Sequence, residues 1–507
     1  FITGSNSFIS WGVTTENSDN TDFCEEIIQG DYYIKNNKNY PLTKVKEIIK
    51  VKGSEPVEIE VKYTENGPIF GKYIPSSFSL FNEDFENNLP LSSRMGFMRH
   101  EFTSYDFYFR LVLAKSPQDF IPYKNECLLS NYNLHWASRE GQIGYLTLGI
   151  INLKKYQNRF CHGFSSQDDI INEIPQEEML SLTSPKKGYI ISGNNSPASS
   201  NYLYKLIGNH NNARAYRVNE LLNNYFKNNT KISINESITI LKDIQDANTA
   251  YILPKYLDII KKNMNAKELK ENGYYQILKK WNFQYDLESR EATLFTILER
   301  NLCILLLTKK ISKEKAKPLL NFFPMYKFIH GIIDKVYNGE KVVLKECAFY
   351  NRNDDCEKYL VNVFKHLDEY VKDFKESSGL IKKWGTVNYN YFPHTPFDDI
   401  PILKYFYSRK KYASGSRNTI KISRSPGNHK MGEFVATQTP RFQFICDMKE
   451  PEEPYLLLSG GNGGSPMQMY YNNFMDKFES NEMVKFKKID FDDEKNKERI
   501  ITLEKRF

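Results

Sequence analysis

The chain contains 507 residues, of which 40% are hydrophobic and 26% are charged. These values are typical of a folded protein and exclude a disordered one, and the length suffices for about three average domains or one large α/β core with insertions. The net charge of +7 is modest, and the lysines at 309–317 and 485–488 alternate with glutamate or apolar residues, so no nucleic-acid partner is predicted.

Strand signals dominate the first part of the chain. Phe8–Trp11 is an apolar run before a polar turn, and Glu47–Lys52 and Val57–Tyr63 are β-branched or alternating. A Gly-Ser pair between the last two predicts a hairpin. Aromatic residues at helical spacing over 100–125 predict a helix.

A second hairpin and a short strand are predicted before residue 200. Asn133–Ala137 and Ile143–Leu148 flank Gly141, whose backbone freedom suits a tight turn between antiparallel strands. Gly188–Ser192 predicts another short strand, which ends just before Asn194. Residues 1–210 are therefore predicted to form a sheet-rich part of the core.

The middle of the chain, residues 211–380, has a helical pattern. In one segment Ser233 is a capping residue that precedes apolar residues at helical spacing. Strand character returns over residues 381–507, at Arg441–Met448 and Tyr455–Leu458, followed by a glycine-rich loop. Strands at both ends around a helical middle predict an α+β fold with one large sheet system.

The cysteines and the apolar runs exclude further classes. Seven cysteines are an odd number, which argues against a fully paired secreted framework, although one free thiol would be compatible with export. They are widely spaced without a CxxC pair, which argues against structural zinc. The apolar run Leu302–Leu307 is short and bounded by Arg300 and Lys309, so it predicts a buried helix rather than a membrane span.

Common catalytic motifs are weak or absent. The sequence contains neither GxSxG nor HExxH, and its SxxK matches, which begin at Ser184, Ser312 and Ser408, are expected by chance in a chain rich in Ser and Lys. The glycines at 460–464 are not followed by GK[ST], so no phosphate-binding loop is predicted. The eight histidines show no metal-binding spacing.

Several segments, in order along the chain, resemble the penicillin acylase family of N-terminal-nucleophile hydrolases. The matching segments are Gly4–Thr14 (G-x-N…W-G-x-T), Asp19–Glu26, Glu47–Gly53, Thr64–Pro68, Asn133–Tyr145, Gly188–Pro197 (G-Y-I…N-N-x-P), the helical Asn212–Leu222 and the loop Gly460–Tyr471. Their order and spacing together carry the resemblance, which runs from the first residues to about residue 490.

The resemblance implies a fold and a function. The fold would be a four-layer αββα sandwich with a large helical insertion, in which residues 1–507 form one domain similar to the family's large subunit. The function would be hydrolysis of an acyl amide through an acyl-enzyme on an N-terminal nucleophile. In the family that nucleophile lies some tens of residues before the G-x-N…W-G-x-T segment, so it is expected upstream of Phe1. The alternative is an inactive homologue with a binding or structural role.

The resemblance also assigns site residues, position by position. The side-chain amide of Asn194 and the backbone N–H of Thr15 match the donors that bind the oxyanion. Arg214 matches the arginine that orients the nucleophile region. Thr3 and Tyr132 match positions that line the acyl pocket.

A structural calcium site is implied by Asp19, Asp22 and the carbonyl of Thr21, whose hard oxygens suit that ion. Lys205 stands where the family has a further acidic ligand, which counts against the ion. No other cofactor is required. The sequence also departs from the family pattern at Asn66 and at two C-terminal positions, Gln443 and Tyr470.

Two partners are implied by the resemblance: a small α-type chain cut from the same precursor and a small acyl-amide substrate. The family likeness also favours a secretory compartment or one like a lysosome or vacuole.

Overall fold

The computed structural model describes residues 2–69, 90–96, 104–128, 131–154, 161–166, 170–199, 201–208, 210, 212–228, 231–308, 356–425, 429–430, 432–436 and 438–487. The lysines at 309–317, the motif that begins at Ser312 and the helical stretch predicted over 309–355 lie outside these described residues.

Most strands belong to the first part of the chain. Before residue 184 they are β1 (Gly4–Ser5), β2 (Ile9–Thr15), β3 (Thr21–Glu25), β4 (Ile28–Gln29), β5 (Tyr32–Lys35), β6 (Lys38–Pro41), β7 (Thr43–Ile49), β8 (Val57–Thr64), β9 (Gly67–Pro68), β10 (Leu91–Met95), β11 (Tyr132–Ser138), β12 (Ile143–Leu148), β13 (Asn152–Lys154), β14 (Cys161–His162), β15 (Ile170–Glu173) and β16 (Ser181–Thr183). After residue 387 they are β17 (Asn388–Phe392), β18 (Arg409–Tyr412), β19 (His429–Lys430), β20 (Glu433–Ala436), β21 (Phe442–Ile445), β22 (Tyr455–Leu458) and β23 (Val484–Lys485).

The α-helices lie mainly between these two groups of strands. They are α1 (Ser104–Leu113), α2 (Ala213–Phe226), α3 (Ile234–Leu241), α4 (Ala247–Asn263), α5 (Ala266–Glu271), α6 (Gly273–Lys279), α7 (Arg290–Leu307), α8 (Cys356–Lys365), α9 (Leu367–Tyr370), α10 (Trp384–Val387), α11 (Pro401–Tyr407) and α12 (Met475–Ser480). The predicted start at Ser233 is confirmed, because Ser233 and Glu236 form a capping box.

A five-stranded antiparallel sheet with strand order β1-β2-β11-β12-β16 positions the candidate site. The predicted hairpin is confirmed: β11 pairs with β12, and Gly141 in the turn has a φ of 87°. On its other edge β11 pairs with β2, so that Asn133 lies opposite Thr14 and Tyr132 lies opposite Thr15.

The two faces of this sheet differ because side chains alternate along each strand. On one face the buried Trp11, Leu134 and Leu146 pack in one cluster with Phe107 and Leu111 of α1. The opposite face carries polar side chains that are also buried, as described below. Full burial of each large apolar side chain contributes about 2 kcal/mol.

A second and larger core lies in the helical part. Tyr256 of α4, Phe295 and Leu298 of α7 and Phe364 of α8 are buried in one cluster, which extends to Trp384 of α10. The remaining strands form smaller sheets in the orders β10-β3-β14, β4-β5-β6, β7-β8-β9, β13-β15, β18-β17-β20-β19 and β21-β22-β23. Separate strand-rich and helical stretches make this an α+β protein, as predicted.

Two local predictions need correction. Gly188–Ser192 is not a strand, because among the described residues no neighbouring strand pairs with its backbone. Its side chains reach other elements instead: the Tyr189 hydroxyl donates to Asn223 of α2, and Ser192 contacts Thr14 of β2. The helix predicted over 100–125 ends at Leu113, and the chain continues in 3₁₀ turns that begin at Pro117.

Other details could not be obtained from spacing along the chain. The strand predicted at 47–52 lies instead at Thr43–Ile49. Cys24 of β3 and Cys161 of β14 form a disulfide although they lie 137 positions apart in the sequence.

In the part of the chain that the structure describes, we find no helix long and apolar enough to cross a bilayer.

Candidate active site

The backbone N–H of Thr15 points away from the middle of the sheet. The next residue, Glu16, donates its N–H to the carbonyl of Asn131 at 3.0 Å. Because hydrogen-bonded and non-hydrogen-bonded pairs alternate along antiparallel strands, Thr15 and Tyr132 form a non-hydrogen-bonded pair. The N–H and the carbonyl of Thr15 therefore face away from β11, towards the opposite edge of β2. On that edge β1 pairs only with Ser10 and Trp11 and does not reach Thr15.

Asn194 lies at this edge. Its Nδ2 donates to the carbonyl oxygen of Thr15 at 2.9 Å. The residue has a φ of 64°, a left-handed conformation that asparagine tolerates better than most residues. An amide NH2 group has two N–H donors, and the second finds no acceptor among the residues that the structure describes. Asn194 therefore presents one N–H donor next to the exposed end of β2.

Arg214, in the first turn of α2, fixes the orientation of the Asn194 amide. Its Nη2 donates to the Gly193 carbonyl at 3.0 Å and to Asn194 Oδ1 at 2.5 Å. The guanidinium holds Oδ1, so Nδ2 must face Thr15. Burial lowers the pKa of Arg214, but a guanidinium stays charged at neutral pH. The structure thus brings together the three predicted catalytic residues, Thr15, Asn194 and Arg214.

Gly193 allows this close approach. A Cβ atom at Gly193 would lie 3.0 Å from the backbone N of Ala215 and 3.3 Å from Cβ of Arg214. Any other residue would push the segment away from α2 and lengthen the bonds between Arg214 and Asn194.

The two predicted pocket residues lie on either side of the strand that carries Thr15. Tyr132 is half-buried and directly opposite Thr15 on β11. Thr3 is exposed, and its side chain faces Gly12 of β2, 3.8 Å from the Cβ position there. Tyr108 of α1, which sequence reasoning missed, lies near Tyr132, and burial raises the pKa of its hydroxyl.

A buried Glu–His pair supports the end of β2 and was also missed. Glu16 is fully buried; its Oε1 lies 3.2 Å from His210 Nε2, and its Oε2 accepts from the N–H of Ser18 at 2.8 Å. The Asp19 N–H donates to the carbonyl of Ile207 at 2.7 Å, which joins the same two segments. Two features of the sequence could have indicated this pair: an acidic residue directly follows Thr15, and a histidine lies four residues before Arg214.

The residues predicted to bind calcium are differently engaged. Asp22 Oδ2 accepts from Nε of Arg94 at 3.2 Å and from Nη2 at 2.8 Å, and the Arg94 side chain is only 4% exposed. Asp19 and Thr21 are exposed. No group of three or more His, Cys, Asp or Glu suited to a metal occurs among the described residues. Lys205 is exposed as well. This set does not fit a calcium ion, because a guanidinium already supplies positive charge to Asp22, and no step below uses the ion.

We therefore expect Arg94→Gln to lower the free energy of unfolding by about 3 kcal/mol, because it leaves a largely buried carboxylate without its cation. EDTA should leave the melting temperature of the wild type unchanged. Thermal unfolding followed by circular dichroism, with and without EDTA or added Ca²⁺, measures both. A matched control is Lys46→Gln, which breaks the exposed Lys46–Glu58 pair and should change stability little. If EDTA lowers the wild-type melting temperature and Ca²⁺ restores it, the calcium prediction holds and the role given to Arg94 is wrong.

Three departures from the family pattern have distinct surroundings. Asn66 is buried and its Nδ2 donates to Glu26 Oε1 at 3.0 Å, so it supplies one hydrogen bond to a buried carboxylate. Gln443 is buried in β21, whereas Tyr470 is 50% exposed in the C-terminal loop.

Comparison with known proteins places the chain in a family. A solved structure of a thermostable penicillin G acylase from Alcaligenes faecalis is similar to this chain with a TM-score of 0.65 at 15% sequence identity, over 100% of this chain and 90% of that one. The fold is therefore similar to that of this penicillin G acylase, and its α+β class is as predicted. The sequence model described as penicillin amidase matches residues 1–492. The chain belongs to the penicillin amidase family.

Proposed function

We propose that this chain is the large part of an enzyme that hydrolyses small acyl amides through an acyl-enzyme. The nucleophile is the N-terminal Ser, Thr or Cys of the mature large chain and lies upstream of Phe1. The observation that carries the proposal is the fixed amide of Asn194. Arg214 holds its oxygen, Thr15 accepts one of its N–H groups, and the second N–H remains for a ligand.

The reaction requires donors that are in place before charge develops. The nucleophile attacks the carbonyl carbon of the amide, and its own α-amine, with a pKa near 8, takes the hydroxyl or thiol proton directly or through a water. Negative charge then develops on the carbonyl oxygen. Asn194 Nδ2 and the Thr15 N–H stabilise that oxyanion, each by roughly 3 kcal/mol as in comparable sites.

The second half of the cycle returns the proton and the enzyme. The intermediate collapses as the carbon–nitrogen bond breaks, and the ammonium gives its proton to the leaving amine. Water then attacks the acyl-enzyme by the same route, and the carboxylic acid leaves. No metal or organic cofactor takes part in these steps. Arg214 keeps the donor amide in one orientation throughout.

The substrate and the partner follow from the same proposal. The acyl group lies beside Thr3 and Tyr132, which lie on either side of β2, the strand that carries Thr15. A small α-type chain cut from the same precursor completes the enzyme, and the substrate is a small acyl amide.

N-terminal sequencing and intact mass of protein from its native source test the proposal. We expect a large chain that starts at Ser, Thr or Cys some tens of residues before Phe1, together with a separate small chain. Such material should release 4-nitroaniline from acyl 4-nitroanilides. A mature chain that starts near Phe1 without a companion has no nucleophile. That result would replace the enzyme by an inactive homologue with a binding or structural role.

A further inference from the structure

The central sheet carries a row of polar residues on the face opposite α1. Thr14 of β2, Asn133 of β11 and Thr147 of β12 are direct neighbours across the three strands. Tyr145, two residues before Thr147, lies on the same face. Apolar side chains on a buried face need no hydrogen-bond partners, whereas each of these polar side chains does.

Side-chain hydrogen bonds join these residues into one chain. Thr147 Oγ1 lies 2.7 Å from the Tyr145 hydroxyl, which donates to Asn133 Oδ1 at 2.5 Å. Asn133 Nδ2 donates to Thr14 Oγ1 at 3.2 Å. Thr14 Oγ1 in turn is hydrogen-bonded to the hydroxyl of Ser192. The chain of bonds therefore leaves the sheet and ends on Ser192.

The direction of the bonds is fixed by Asn133. The Tyr145 hydroxyl holds the oxygen of the Asn133 amide, so the NH2 group must face Thr14. Thr14 accepts from that group and so can donate its own hydroxyl hydrogen to Ser192. Asn133 is 1% exposed and Tyr145 is 7% exposed, and a buried polar group that loses its partner pays a desolvation penalty. The chain is thus costly to break or reverse.

Burial, together with the nearby carboxylate of Glu16, raises the pKa of Tyr145, so the hydroxyl keeps the proton that it donates to Asn133. On the same face His135 lies opposite Tyr145, with their rings in edge contact. Burial lowers the pKa of His135 to about 4, so its ring is neutral at neutral pH.

Ser192 is the link to the candidate active site, because it lies two residues before Asn194. The segment 188–195 belongs to no strand or helix, so side-chain contacts fix its position. Three of them tie it to other elements near Asn194: Arg214 holds the Gly193 carbonyl, Asn194 itself donates to the Thr15 carbonyl, and Thr14 holds Ser192.

We propose that the hydrogen-bond chain from Thr147 through Tyr145, Asn133 and Thr14 to Ser192 positions Asn194 for oxyanion binding. These are positioning residues, because their effect on the reaction passes through Asn194. The inference rests on the proposed amide hydrolysis. It means that hydrogen bonds from the central sheet hold the Asn194 amide in place. Preorganised donors accelerate a reaction only when they stay at the oxyanion position.

Kinetics of the mature enzyme with phenylacetyl 4-nitroanilide give the first test. Thr14→Val keeps the shape of the side chain but removes the hydroxyl, and it should lower kcat roughly five- to tenfold with little change in KM, the equivalent of one hydrogen bond. Thr14→Ser keeps the hydroxyl and should restore kcat. Tyr145→Phe frees the Asn133 amide to turn and should lower kcat in the same direction. Thr43→Val in the exposed strand β7 is the control and should leave kcat unchanged.

Hydrogen exchange measured by mass spectrometry tests the same chain without catalysis. In Thr14→Val, peptides that cover 188–196 should exchange roughly tenfold faster, while peptides from β11 and β12 keep the wild-type rate. Faster exchange across the whole sheet would mean a purely structural role and would overturn the inference, as would an unchanged 188–196 segment with unchanged kcat. If the wild type turns over no acyl amide, the proposed function fails. The exchange data alone then decide whether Thr14 holds the segment.

Discussion

Replacing Asn194 by alanine is expected to lower kcat for amide hydrolysis by about two to three orders of magnitude, the cost of losing one oxyanion donor. KM should change much less, because the donor acts on charge that exists only in the transition state. Steady-state kinetics on the mature enzyme with an acyl 4-nitroanilide measure both quantities. Turnover like that of the wild type would remove Asn194 from the site.

Two further variants separate this loss from a change in the backbone. Asn194 has a φ of 64°, where alanine is strained and glycine is not, so Asn194→Gly should lose the same activity without loss of stability. Asn194→Asp keeps the side-chain shape but has no N–H donor, and it should be at least as inactive. Asn224→Ala, an exposed change on α2, is the matched control and should leave kcat as it is.

Arg214→Met is expected to lower kcat by about one to two orders of magnitude. The change removes two charge-assisted hydrogen bonds, each contributing roughly 1.5–3 kcal/mol, that fix the Asn194 amide and the Gly193 carbonyl. Without them the amide can turn its oxygen towards the developing oxyanion. The expected loss is smaller than for Asn194→Ala, because the donor itself remains. Kinetics and thermal unfolding of the same preparation give the result.

Arg217, one turn along the same helix, offers a matched control. It pairs with Asp243 through Nε and Nη2 and has no contact with Asn194 among the described residues. Arg217→Met should therefore lower the free energy of unfolding by about 3 kcal/mol, yet the folded molecules should keep their kcat. If Arg217→Met and Arg214→Met lower kcat equally, the effect comes from helix α2 as a whole and not from the contact with Asn194.

Local patterns predicted the regular elements well where neighbours in sequence are neighbours in space. The hairpin around Gly141 and the cap at Ser233 depend on residues a few positions apart, so the sequence contains all of their information. Gly188–Ser192 was predicted wrongly as a strand for the opposite reason. Its apolar character was visible, but its partners are on α2 and β2, far away along the chain.

The candidate site shows the same division. Asn194, Thr15 and Arg214 were found through resemblance to a family, and the structure places them in contact. Glu16 and His210 were missed, because 194 positions separate them in the sequence. Each residue taken alone is equally typical of a protein surface or of a core without a functional role. For Asp22, the sequence predicted a metal ligand, whereas the fold places the guanidinium of Arg94 against it through the pairing of β3 and β10.

The sequence by itself determined the class of fold and the family, and it predicted the residues that we propose to bind or orient, since these depend on residue type and order. Only the tertiary structure decided what each polar group faces. Asn133 is an unremarkable strand residue until Thr14 and Tyr145 lie within hydrogen-bond distance of its amide. The reason is physical: the free energy of a buried polar group depends on its partners, and partners more than 100 residues apart in the sequence become neighbours only when the sheet forms.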